Sequence, residues 1–375
     1  MALIFLANGA VAGSWLPRLP EIRDRLEVDL GTLGLSLALG GLGAITGSSL
    51  SGVILGRLGS KTSAVLGSVL LFALLPLIAV VPSVAWLAVV LGVLGFLDAQ
   101  TDVGMNAVGV RVEEHVGRSI MTRLHGMWSL GTFLGAGIAA IAVSAGIGLG
   151  AQLSVTAVVG LLVVFFAARM VPSAPVRARV GERSGRLAIG LMLAGATAVM
   201  IEGAPFDWSA LFLVDEIGTT GGIGLILFTG GTLIGRMGGD FVVDRLGGRR
   251  TLFTGIGVAV AAMFIVVTSS MVGMALLGFG IWGLGISVAL PVLYKLAGSH
   301  SSFTEGAGLA ALTVGTRLGI MLGPALIGLG ADRIGLRSAV AWVVTLAAGC
   351  AVLAISLTVS APGPTVDSLP GSADS

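Results

Sequence analysis

Asp98, Asp102 and Asn106 follow one another at four-residue steps inside an otherwise apolar stretch, so in a helix they share one face with Thr101, Met105 and Gly109. Two carboxylates one turn apart can hold a proton and release it when water arrives, which is the chemistry a proton-coupled carrier needs. An ionised aspartate near a bilayer centre costs roughly 2.5 to 3.5 kcal/mol on insertion scales, so this face is expected to look into protein or a watery cavity. It reads as the wall of a transport pathway. The competing reading is a static hydrogen-bonded pair or a salt bridge to Arg317, which its own apolar stretch places at similar depth. At about 1.5 Å per residue, Asp98 and Glu202 fall near mid-span, with Asp102 one turn and Asn106 two turns towards the basic side. Proton coupling is therefore expected at Asp98, Asp102 or Glu202. Arg317 is expected to act as their counter-charge.

The elements that must position these residues are membrane helices. Of 375 residues, 55% are hydrophobic and only 11% charged, with 60 glycines, and the mean hydropathy is +1.03. That is far more apolar surface than a soluble core needs. Long apolar runs take the place of the ten-residue alternation of a membrane barrel. The fold class is therefore an all-α membrane protein, with glycine spacings such as Gly131 to Gly135 and Gly52 to Gly56 suited to close helix packing. The single cysteine, Cys350, excludes a disulfide framework and is expected to pack in a span.

Dividing the apolar runs at charges, prolines and glycines gives twelve spans of about twenty residues. They fall near 1–18, 30–55, 61–81, 84–110, 120–146, 149–170, 187–213, 219–243, 250–269, 271–296, 305–330 and 336–359. Basic residues concentrate after the even-numbered spans: Arg57 and Lys61, then Arg111, Arg118 and Arg123, then Arg169 to Arg186, then Arg245, Arg249 and Arg250. The positive-inside rule puts that side, and both termini, in the cytoplasm. The small excess of positive charge sets topology and implies no nucleic-acid partner. Residues 1–171 form a six-helix half, 172–186 a polar cytoplasmic linker, 187–360 a second six-helix half, and 361–375 a disordered tail.

An internal repeat supports this division. Gly56-Arg57-Leu58-Gly59 answers Asp244-Arg245-Leu246-Gly247 at an offset of 188 residues, and Gly131 with Gly135 answers Gly319 with Gly323 at the same offset. Asn8-Gly9-Ala10 and Glu202-Gly203-Ala204 open the two halves. Parallel repeats about a pseudo-two-fold axis along the membrane normal place a solute site between the halves.

The stretch from Arg236 through Asp240 and Asp244-Arg245-Leu246-Gly247 to Arg249-Arg250 resembles the cytoplasmic loop motif of the major facilitator superfamily. The first half carries a degraded copy with Gly56 in place of the acid. Trp15-Leu16-Pro17-Arg18, Asp102 to Asn106, His125-Gly126-Met127-Trp128-Ser129 and Glu202-Gly203-Ala204 are similar to a bacterial branch near the fucose permeases. The resemblance implies that the first, fourth, seventh and tenth spans line the cavity. It thus brings in Asn8, Asp207 and Trp282 beside Asp98, Asp102, Asn106 and Glu202. It also implies a conformational latch formed by Asp244, Arg245 and Arg249 with Arg57 and Lys61, acting at helix ends.

The function expected is a secondary transporter in a bacterial plasma membrane that moves a small, sugar-like polar solute by alternating access, with protons as coupling ion, as a monomer in the lipid bilayer. An exporter of small molecules or drugs is the alternative, and a non-transporting membrane receptor the alternative of another class. No phosphate-binding loop or nucleophile with a base at motif spacing occurs, and three scattered histidines make no metal site. Neither an enzyme nor a cofactor is expected.

Overall fold

The computed structural model describes residues 1–116, 120–171, 185–299 and 307–359. The expected tail and all but the last two residues of the expected linker lie outside them. Among the described residues twelve helices carry the fold: α1 Ala2–Leu26, α2 Leu30–Leu58, α3 Ser60–Ala79, α4 Val84–Val116, α5 Met121–Ser144, α6 Leu149–Met170, α7 Gly185–Phe212, α8 Gly222–Leu246, α9 Gly248–Thr268, α10 Val272–Ala297, α11 Ala307–Ile334 and α12 Leu336–Val359. Among the described residues eleven helices are long and apolar enough to cross a membrane. The one left out, α8, is diluted by glycines and by Arg236.

Two spans run well past their expected ends, by six residues or more. The first continues through Pro17 and Pro20 as a short 3-10 turn, Leu16–Arg18, and a further helix, Leu19–Leu26. Arg18, at the expected end of the first span, is buried, donating to Glu21, the Ile147 carbonyl and Gln152. The fourth reaches Val116, well beyond 110. Apolar side chains on the outward faces, such as Phe165 and Phe166 of α6, remain exposed, as hydrocarbon-facing rows do. Cys350 lies on such an exposed face of α12 rather than in the packing.

The repeat runs deeper than its two sequence signatures. In the first half Gly43 abuts the Gly92 carbonyl, Gly47 that of Phe96, and Gly95 that of Gly40, joining α2 to α4. In the second half Gly231 abuts Gly280, Gly235 abuts Leu284 and Ser287, and Gly283 abuts Phe228, joining α8 to α10. These glycines are related by the same 188-residue offset. Gly131 against Leu6 (α5 on α1) and Gly319 against Ala196 (α11 on α7) continue the pattern. Gly59 and Gly247, which end α2 and α8 and begin α3 and α9, share φ 78° with ψ 155° and 152°. That left-handed value favours glycine.

The halves meet along two seams, α2 on α11 and α5 on α8. Gly34 lies against Gly328 in one and Gly222 against Ala140 in the other, again related by the offset. On α2 the contact runs from Gly31, against Asp332, to Gly41, against Met321. Gly52 and Gly56, farther along the same face, meet nothing, so the seam opens towards the Leu58 end. The expected close packing at Gly52 and Gly56 is therefore absent, because the halves have parted there.

Because a Cβ at Gly131 would press on the Leu6 carbonyl, Gly131→Ala must separate α1 from α5. It should cost about 1 to 3 kcal/mol, read as a lowered unfolding temperature in detergent. Gly137→Ala, where nothing lies within reach of the new methyl, should be near neutral.

Candidate functional site

At the inner end of the closed part of the seams, α1, α4, α5, α7, α8 and α11 bring polar side chains together. Asn8 of α1, 4% exposed, donates from Nδ2 to Asp98 Oδ1 at 2.9 Å, while its Oδ1 accepts from Trp128 Nε1 at 2.9 Å. The amide is thereby fixed in orientation, and Asp98 has a neutral donor as partner. One turn along α4, Asp102 accepts from Asn106 Nδ2 at 2.9 Å and from Arg317 Nη2 at 3.0 Å, the latter an ion pair across the halves. The sequence left a carboxyl pair and an Arg317 bridge open, and the structure places that bridge on Asp102.

The second guanidinium was not singled out from the sequence. Arg236 of α8 donates to Glu202 Oε1 of α7 at 2.8 Å, to Ser129 Oγ of α5 at 2.5 Å and to the Ser287 carbonyl at 3.4 Å. It also lies 5.9 Å from the Trp128 ring. Trp128 in turn stacks on Phe206 of α7, with centroids 6.4 Å apart and planes 13° from parallel. The legible signal was that Arg236 is the one charge in the otherwise apolar or small run from Gly222 to Gly239. It was read only as the start of a loop motif.

Trp282 departs from its expected place. It is 1% exposed, packs on Phe279, and donates from Nε1 to the Ile201 carbonyl at 3.1 Å. The cause is Pro205. Helix α7 continues unbroken through it. Proline lacks the N–H that would bond the carbonyl four residues back, which is that of Ile201. Trp282 satisfies that carbonyl and is turned away from the cavity. Asp207 lies on the opposite side of α7, next to Phe206, half-buried and with no hydrogen bond or ion pair among the described residues.

The expected latch residues are spread out. Asp244, Arg245, Arg249 and Arg57 are exposed; Arg245 lies 4.1 Å from the Phe241 ring and Arg249 5.5 Å from that of Phe253. Asp244, Arg57 and Lys61 make no ion pair among the described residues. The ties between the halves lie at the other end. Arg23 of α1 pairs with Asp215 in the π turn Leu213–Ile217 that closes α7. Both Asp332 oxygens accept from the Gly31 N–H, at 3.0 and 3.1 Å, capping α2 from the opposite half. Asp29 caps the same terminus from its own half, and hydrogen bonds from the Thr32 hydroxyl and N–H hold its carboxyl below the usual range.

The Major Facilitator Superfamily model matches residues 1–302. The chain belongs to that superfamily. This facilitator-superfamily chain is a secondary transporter, not an enzyme. It is 31% identical over 375 residues to an MFS-type transporter of Yersinia pestis, covering 96% of this chain and 93% of the relative. It is 29% identical over 361 residues to the membrane protein MosC of Rhizobium meliloti, covering 92% and 86%. Among solved structures, a mutant form of the nucleoside transporter NupG superposes with a TM-score of 0.73 at 15% identity, over 95% of this chain and 97% of that one. A bacterial homolog of the human lysosomal transporter Spinster, inward-facing and unoccupied, superposes with a TM-score of 0.65 at 15% identity, over 95% and 93%. At such identities the likeness establishes the fold of the transporter alone.

If Trp282 serves the carbonyl freed by Pro205, Trp282→Phe should lower the unfolding midpoint by an amount corresponding to about 1 to 3 kcal/mol. Pro205→Ala, which restores the helical N–H, should remove the hydrogen-bond part of that cost in the double variant. Equal losses in the two backgrounds would contradict the pairing.

Proposed function

We propose that this transporter moves a small polar solute by alternating access, coupled to protons, with Asp98 as the coupling acid. The observation carrying this reading is the contrast among the three acids of the hydrogen-bonded cluster, Asp98, Asp102 and Glu202. Asp102 holds Arg317 and Glu202 holds Arg236, whereas Asp98 has a neutral amide as partner. A carboxyl without a cation is the one whose charge is best neutralised by a proton. The solute lies between the halves beside Trp128 and Phe206, whose rings suit the face of a sugar-like or other ring-shaped molecule. The resemblance to the fucose-permease branch agrees with that shape.

The conformer has its Arg23–Asp215 and Asp332–α2 ties closed and its Leu58 end parted. With the basic loops on the cytoplasmic side of a bacterial inner membrane, it is the state open to the cytoplasm. The Asp244 loop is then a latch awaiting the opposite state, when the parted ends of α2 and α8 close.

Three outcomes follow. Asp98→Asn, which mimics the protonated acid, should retain solute exchange at equal concentrations in proteoliposomes but lose uphill accumulation driven by a pH gradient. Wild-type accumulation and proton flux in that variant would refute the role. For orientation, Glu114→Cys should react with membrane-impermeant maleimide only from the cytoplasm, and Ser83→Cys only from outside; the reverse pattern would invert the topology. For gating, Asp332→Asn should raise the population open to the outside, measured as a shorter spin-label distance across the Leu58 end, and an unchanged distance distribution would count against the tie.

A further inference from the structure

The ionic groups of the site do not balance. Two guanidiniums, Arg236 and Arg317, are each matched by a carboxylate, and Asp98 is the coupling acid of the reading above, on which the present inference rests. Asp207 is left over. Among the described residues its carboxyl makes no hydrogen bond or ion pair. On its own helix Glu202 is held by Arg236 of α8. On α1 Arg18 is held by Glu21, and on α11 Arg317 is held by Asp102.

The contacts of α7 fix where Asp207 faces. Ala204, Trp208, Ser209 and Phe212 point into the second half, against Val266, Phe279, Trp282 and Val340. Glu202 and Phe206 point across to the seam, to Arg236 and Trp128. A Cβ on Gly203, one turn from Asp207, would meet only the Asp207 carboxyl itself, so this face is open. An open face beside the seam, carrying an acid with no counter-charge in a membrane span, is a site that asks for a cation. The Phe206 ring beside Asp207 favours the same sign of charge, since the face of an aromatic ring attracts a cation.

We infer that the solute is an organic cation, a small polar molecule bearing a protonated amine, and that Asp207 beside Phe206 and Trp128 takes its ammonium group. When the site is empty, a proton on Asp207 can neutralise the acid. Binding then converts R–NH3+ and the carboxylic acid into the ammonium–carboxylate pair and one proton, which leaves to the water of the opening. No covalent bond to carbon changes and no electron moves. The solute and this proton therefore compete for one carboxyl.

The test uses the purified full chain in nanodiscs. Glucosamine, ethanolamine and putrescine serve as cationic probes; glucose, ethylene glycol and 1,4-butanediol are their neutral counterparts, and gluconate is the acid. Thermal shift and calorimetry are run near pH 8 and near pH 5.5. At least one amine should bind at the higher pH in preference to its neutral counterpart. Its affinity should weaken by up to about tenfold per pH unit where Asp207 takes up a proton, with proton release on binding. Asp207→Asn should lose at least about tenfold in amine affinity together with the pH dependence, and Asp207→Glu should recover part of both. The inference is overturned if no amine binds, if neutral or acidic counterparts bind as tightly, or if Asp207→Asn keeps the wild-type profile. A neutral solute driven uphill by protons would sink this inference and leave the carrier reading intact, whereas wild-type accumulation in Asp98→Asn would do the reverse.

Discussion

Arg236 is held largely away from solvent, its side chain 14% exposed, and its guanidinium must be satisfied by other helices. The consequences of that one requirement reach most of the site. Glu202 sets the angle of α7 against α8, Ser129 ties the pair to α5 in the other half, and the Ser287 carbonyl adds α10 where that helix turns. Taking away one member of a buried pair strands the other, at a cost of about 3 to 5 kcal/mol in well-buried cases, so these groups move as a unit. The face of Trp128 is held in the same cluster, and through its Nε1 so are Asn8 and Asp98.

The scaffold is symmetric, but its chemistry is not. Glycines at seam after seam repeat with one offset, because each marks a place where two backbones touch and only hydrogen fits. The charged residues break the repeat. The positions answering Arg236 and Arg317 hold Ser48 and Ser129, and those answering Asp98 and Asp102 hold Ile286 and Leu290. Two guanidiniums therefore come from the second half, while the acid held by a neutral amide comes from the first. A symmetric hinge lets the halves rock, and an asymmetric lining lets the two faces of the site do different work.

The ties between the halves are likewise unequal from end to end. Arg23 with Asp215, and Asp332 on the amino end of α2, use charges at helix termini, where a carboxylate meets unpaired N–H groups and a favourable dipole. At the opposite end α8 finishes with Asp244 and Arg245, which make no ion pair across the gap among the described residues. Under the proposed alternating access the two sets of charges would engage in turn, because halves moving as rigid bodies cannot close both ends at once.

The sequence by itself determined the all-helical membrane class, most helix bounds within a few residues, the repeat and the superfamily. It could do so because hydropathy runs, basic loops and glycine spacing are local properties of the chain. It also singled out the polar stripe on α4, since a carboxylate in a span is conspicuous wherever its partner is. What it could not decide was which partner each charge has. Asp102 with Arg317 spans 215 residues and Asn8 with Asp98 spans 90, and no spacing encodes either pair. The tertiary structure alone turned Trp282 from a candidate cavity wall into the donor for the carbonyl that Pro205 frees. In the same way it moved Arg236 from a loop motif into the site. Both decisions depend on which helix faces packing brings together in a medium where no polar group can be left to water.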